Sequence, residues 1–272
     1  METIAIVVLM FIGLLIADSL FRHFKLLTMA VFLVLPIILL PVWVMKDHFI
    51  WFFWLKMFSV TFAISLLFVC GNTRLSQSRW IYCAIWLAYA INIAEAMLYD
   101  ISASNNIQYI NALTGCILIA TLPGPDTMKI DKTTPIHDFS WDISYGWIVT
   151  YTLWNWLFVY GNWPGMGARH HIAILAVPLF IALFNNRTLW AEARAFTLGT
   201  YFMVWFLFKP TLDQLTEMPS WYNSNFYLII ASLTLCYALV LLFKSVKKWS
   251  FQGDNIPHKL PIGSISSKKN LL

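Results

Sequence analysis

The sequence predicts an all-α, polytopic transmembrane bundle of about nine spans, with the N-terminus outside and the C-terminus in the cytoplasm. Three observations carry that expectation. Of 272 residues, 60% are hydrophobic and 11% are charged, against about 25% charged in a soluble domain. The apolar residues fall in blocks of roughly 15 to 22, long enough to cross a hydrocarbon core at about 1.5 Å per residue. The basic residues crowd onto alternate connections between those blocks, as a membrane protein places them to set its orientation.

Taken in order, the blocks are 3–21, 26–45, 49–70, 80–99, 107–122, 143–161, 170–186, 189–208 and 226–244. The first lacks a basic leader and an Ala-x-Ala-like end, so it reads as a retained helix and not a signal peptide. Each block must be helical, because lipid offers no partner for an open backbone group. Pro36, Pro41 and Pro178 fall inside blocks and predict kinks. The fifth and seventh blocks are short. Trp43, Trp51, Trp80, Trp141, Trp163 and Trp221 sit near block ends and predict an interfacial aromatic belt.

The connections divide by charge. Arg22, Lys25, Arg74, Arg79, Lys129, Lys132, Arg187, Arg194 and the tail lysines Lys244, Lys247, Lys248, Lys259, Lys268 and Lys269 fall on one side. That places 14 basic residues in the predicted cytoplasm, against 3 outside (Lys46, Arg169 and Lys209). The 123–142 connection, with Pro123, Gly124, Pro125 and Pro135, is the longest cytoplasmic one between helices, and 209–225, with Asp213 and Glu217, is a longer outer loop. Residues 1–244 form the transmembrane domain, and 245–272 read as a basic, disordered cytoplasmic tail. Membrane lipids are the expected partner, with the tail lysines near anionic headgroups.

Composition also excludes functions. The net charge of +5 sits between apolar blocks and in the tail, which argues against a nucleic-acid partner. Cys70, Cys83, Cys116 and Cys236 lie in or beside apolar blocks without metal-ligand spacing, so they read as packing residues. There is no phosphate loop, HExxH or GxSxG, and no spaced histidine boxes. No metal, cofactor or catalytic residue is assigned.

The informative residues are polar ones where lipid forbids them, since each ionisable group inside a span costs about 2.5–3.5 kcal/mol. Lys56 is seven residues into the third span, roughly 10 Å deep. Glu95 is four residues from the outer end of the fourth span, with Asn92 one turn away on the same face. Asn111 lies four residues into the fifth span, and Asn155 six from the outer end of the sixth, with Tyr151 one turn below. His170 and His171 open the seventh on the outer side. These residues come from separate spans but share the outer half of the membrane, which predicts an outward-facing polar pocket. Lys56 and Glu95 would be its charged pair, and Asn92, Asn111 and Asn155 its orienting amides. The plainer reading is that Lys56 and Glu95 only neutralise each other and that the amides join helices at about 0.6 to 2 kcal/mol each. Asp142 and Glu192, at helix starts, have a sufficient explanation in the helix dipole.

Several strings together resemble a family of bacterial multi-pass membrane proteins classed as a domain of unknown function. They are Leu55-Lys56-Met57, Ile91-Asn92-Ile93-Ala94-Glu95-Ala96, Tyr109-Ile110-Asn111, Trp154-Asn155, Pro164-Gly165 and Ala193-Arg194-Ala195-Phe196-Thr197-Leu198. The likeness runs from the second span to the eighth. It implies a bacterial cytoplasmic (inner) membrane location and supplies no activity. The leading expectation is transport or binding of a small polar or charged solute or ion, with Glu95 able to exchange a proton. A membrane-embedded enzyme acting on a lipid-linked or amphipathic substrate at the outer leaflet, with Glu95 as acid or base beside His170 or His171, is the alternative. A non-catalytic scaffold or sensor, without a ligand-sized cavity, is the third reading.

Overall fold

A computed structural model describes residues 2–46, 49–103, 106–131, 138–216 and 219–253. Lys132, Pro135, Glu217, Lys259, Lys268 and Lys269 lie outside the described residues. The fold is all-α apart from one small hairpin, with nine long helices among the described residues. α1 is Glu2–His23. α2 is one continuous helix built from Lys25–Met29, a π-helical stretch Ala30–Val34 and Leu35–Lys46. α3 is Trp51–Asn72, α4 Arg79–Ser102 and α5 Asn106–Ala120. α6 is Tyr145–Asn162, α7 Met166–Phe184, α8 Trp190–Thr216 and α9 Ser224–Gly253.

Each predicted span therefore has a helix, but ends move where local chemistry overrides hydropathy. The π stretch stands just ahead of Pro36, whose ring displaces the carbonyl of the preceding turn. α8 continues past the predicted end at 208 to Thr216. It bends at Phe208 (φ −120°, ψ 19°), two residues before Pro210. α9 runs to Gly253, so residues 245–253, assigned from the sequence to the tail, are helical. The 123–142 connection holds two short antiparallel strands, β1 Met128–Ile130 and β2 Phe139–Trp141, paired Met128 with Trp141. β2 is buried throughout, with Phe139 and Trp141 at 1% and 0% exposure. Trp141 and Trp43 are therefore core residues and not part of an aromatic belt, whereas Trp51, Trp80 and Trp221 are exposed.

α8 packs against α1, α2, α3 and α7, and α6 against α4, α5, α7 and α9. These two helices are the inner elements of the bundle. Six helical segments are long and apolar enough to cross a membrane: Ile4–His23, Lys25–Met45, Trp51–Asn72, Arg79–Ser102, Gly167–Phe184 and Ser224–Lys248. α6 and α8 fall outside that set although they sit centrally. Their neighbours are protein, so they tolerate polar side chains that a lipid-facing helix cannot. Outward positions of the peripheral helices carry bare Leu9, Leu26, Ile37 and Phe243, an apolar surface far larger than a soluble monomer exposes. Small residues admit close approach inside. A side chain on Gly199 of α8 would collide with Ile64 of α3 and Phe32 of α2.

Candidate functional site

α3 and α4 set the first arm of the site. Lys56 Nζ lies 2.9 Å from Glu95 Oε2, both side chains 7% exposed, so the predicted pair forms. Lys56 Nζ also donates to the main-chain oxygen of Asn92 at 2.7 Å, and Ser59 Oγ donates to Glu95 Oε2 at 3.1 Å. Asn92 thus holds the ammonium with its backbone carbonyl, one turn before Glu95.

α6 and α8 set the second arm. Arg194 is 3% exposed. Its Nη2 donates to Asn155 Oδ1 at 3.1 Å and its Nε to the Tyr151 hydroxyl at 3.4 Å. The guanidinium carbon lies 5.8 Å from the Tyr151 ring centre, a cation–π distance. Tyr151 is itself fixed, stacked on Trp147 at 5.3 Å and edge-on to Trp190 at 5.0 Å. Arg194 Nη1 is buried and has no hydrogen-bond partner among the described residues. No carboxylate forms an ion pair with Arg194 among the described residues.

Between the arms lies a cavity of about 110 Å³. Lys56, Asn92, Asn155, His171 and Arg194 supply its polar wall, and Phe52, Phe158, Trp163, Tyr201 and Trp205 are among the residues of the rest. Of the residues expected from the sequence, Lys56, Asn92, Asn155 and His171 meet here. Glu95 stands behind Lys56. Tyr151 stands behind Arg194 and lines an adjoining void of about 20 Å³.

Asn111 and His170 lie outside the cavity. His170 is buried one turn inside α7, because that helix opens at Met166 and not at the histidines. It packs edge-on to Tyr201 with Nδ1 3.4 Å from the hydroxyl. Asn111 belongs to a different network. Its Nδ2 donates to Asp100 Oδ2 at 2.8 Å, and Asn162 Nδ2 donates to Asp100 Oδ1 at 2.8 Å. Gln108 Nε2 donates in turn to Asn162 Oδ1 at 3.1 Å. The main-chain oxygen of Asn111 also accepts from Trp154 Nε1 at 2.9 Å. Position along a span does not give the direction around the helix, and that direction separates Asn111 and His170 from the cavity.

At the other end of the bundle Arg22 collects three carboxylates. Its distances are 3.0 Å to Asp18, 3.6 Å to Asp138 and 3.7 Å to Glu192. Asp138 precedes β2, so this cluster ties the hairpin to α1 and α8. Glu192 is therefore an ion-pair partner as well as a first-turn acid. An open polar basin of about 750 Å³ adjoins the cluster.

Arg22, Arg194 and Asp100 are buried ionisable residues that the sequence reading left in the connections or just past a span end. Arg194 was counted with a cytoplasmic loop, because it lies near the start of its span. Its signal was the alternation of Ala191, Ala193 and Ala195 around it, which marks tight packing at the helix start. Asp100 falls one residue beyond the predicted end of the fourth span.

The chain belongs to a family of unknown function, DUF5692, whose model matches residues 1–260. The match reaches beyond the second-to-eighth-span stretch on which the resemblance rested. No curated protein and no solved structure matches the chain.

Proposed function

We propose that the chain is a multi-pass protein of the bacterial cytoplasmic membrane that binds a small organic anion in the Lys56–Arg194 cavity and carries it across. In this reading all nine helices cross, with the N-terminus outside and the C-terminus in the cytoplasm. One observation carries the choice of charge. Arg194 is buried, lines the cavity and is held by an amide and a phenol, and among the described residues it has no paired carboxylate and no partner for Nη1. Lys56 is already neutralised by Glu95. The site as it stands carries one uncompensated positive charge, and a guanidinium is suited to a planar carboxylate. The aromatic wall suits an apolar body. The volume is well under the roughly 300–1,000 Å³ of drug-sized pockets, which limits the solute to a small molecule.

The position of Glu95 favours binding over acid–base catalysis. Its Oε2 is shared between Lys56 and Ser59, and it does not line the cavity. The test is thermal unfolding of the purified full chain in detergent against small carboxylates and size-matched amines. At least one carboxylate raises the midpoint, and Arg194→Gln abolishes that rise. A midpoint raised by amines alone, or an Arg194→Gln response equal to wild type, would overturn the reading. Uptake of the same carboxylate into proteoliposomes then separates carriage from simple binding.

A further inference from the structure

The Asp100 network poses a problem that the cavity does not solve. Asp100 is 0% exposed, in an apolar bundle where an ionised group needs a counter-charge. Glu95, five residues earlier on α4, has one in Lys56. Asp100 has none: among the described residues its side chain is held only by the amide nitrogens of Asn111 and Asn162. The surroundings hold spare oxygen. Asn111 Oδ1, Gln108 Oε1 and the Tyr227 hydroxyl are all buried without a partner among the described residues. Asn111 is 1% exposed, Gln108 4% and Tyr227 0%. Gly161 places the last two together, since a Cβ there would lie 2.9 Å from the Tyr227 ring and 3.4 Å from Gln108 Nε2.

We propose that Asp100, with the oxygens of Gln108, Asn111 and Tyr227, forms a site that takes up one monovalent cation, a proton or a sodium ion. The donor set is all oxygen, which hard cations prefer. An amide turned about its last torsion exchanges its nitrogen for its oxygen at nearly the same place. Asn111 can therefore donate to a bare carboxylate and, once turned, present Oδ1 to a loaded one. Loading forms an O–H bond at Asp100, or cation–oxygen contacts, and takes the local charge from −1 to zero. Among the described residues, the titratable or charged groups around it are tyrosines and the Lys56–Glu95 pair. α9 presents Tyr227, in ring contact with Tyr160 of α6 and with Tyr222. α5 and α6 also present amides, and on α3 Lys56 is committed to Glu95. Asn162 lies seven residues after Asn155 of the cavity, two turns along one face of α6, so both sites share α4 and α6.

The experiment uses the purified full chain in detergent and requires no solute. Binding to the folded state raises the unfolding midpoint. In the sodium arm the midpoint is followed against sodium chloride and N-methylglucamine chloride at fixed pH. In the proton arm it is followed against pH in sodium-free buffer, where uptake raises the midpoint as pH falls. Asp100→Asn mimics the loaded, neutral state and loses the response in the arm that names the cation. Gln108→Ala leaves the carboxylate and its two amide donors in place, and it raises the half-effective cation concentration by about tenfold. Equal responses of wild type and Asp100→Asn in both arms overturn the proposal. If Asp100→Asn does not fold, an unchanged response in Gln108→Ala overturns it. Because no anion is added, failure here is separate from failure of the anion reading.

Discussion

Arg22 and Arg194 are both buried arginines near the ends of long helices, at 8% and 3% exposure, yet their surroundings are opposite. Arg22 sits among Asp18, Asp138 and Glu192 and donates to the main-chain oxygen of Leu189 at 3.3 Å. Arg194 lines a cavity, holds Asn155 and Tyr151, and among the described residues has no partner for Nη1. Burial alone does not separate a structural lock from a receptor. Counter-charge does: where the protein supplies it, the cation fastens elements together, and where it does not, a ligand has to.

That contrast can be broken by grading the ion pairs. Arg22→Leu strands three carboxylates and is expected to cost about 3–5 kcal/mol, read as unfolding of the purified chain. A loss under about 1 kcal/mol would remove the lock from the comparison. Next comes Lys56→Ala, which leaves Glu95 buried with only Ser59 and costs about 2–5 kcal/mol. The double variant Lys56→Ala/Glu95→Gln recovers part of that loss, and a thermodynamic cycle on the four proteins measures it. Arg194→Gln is expected to change ligand-free stability by no more than about 1 kcal/mol, since the relief of an unpaired buried charge offsets the loss of two charge-assisted hydrogen bonds. A loss as large as that of Arg22→Leu would make Arg194 a second lock and sink the anion site. Smallest is Arg187→Ala. Its 2.6 Å pair with Asp142 has side chains 40% and 59% exposed, and exposed pairs are worth about 0–1 kcal/mol.

The helices were legible in the sequence because lipid imposes one rule on every span. The Lys56–Glu95 pair was legible because two charges in apolar surroundings must find each other. Asn111 was misplaced because residues at equal depth on different helices point in different directions, and only packing sets the angle. Arg194 and Asp100 were missed at span edges, where a residue count treats as solvent what α6, α7 and α9 cover. The buried strand β2 was hidden in a connection whose Pro and Gly content suggested a plain loop.

The bend at Phe208 has a mechanical consequence. A straight helix passes rotation along its whole length, but the break ahead of Pro210 lets the 209–216 piece turn without twisting the stretch that holds Arg194 and Gly199. A bulky fusion joined beyond the break would accordingly leave the arginine's grip on Asn155 and Tyr151 undisturbed.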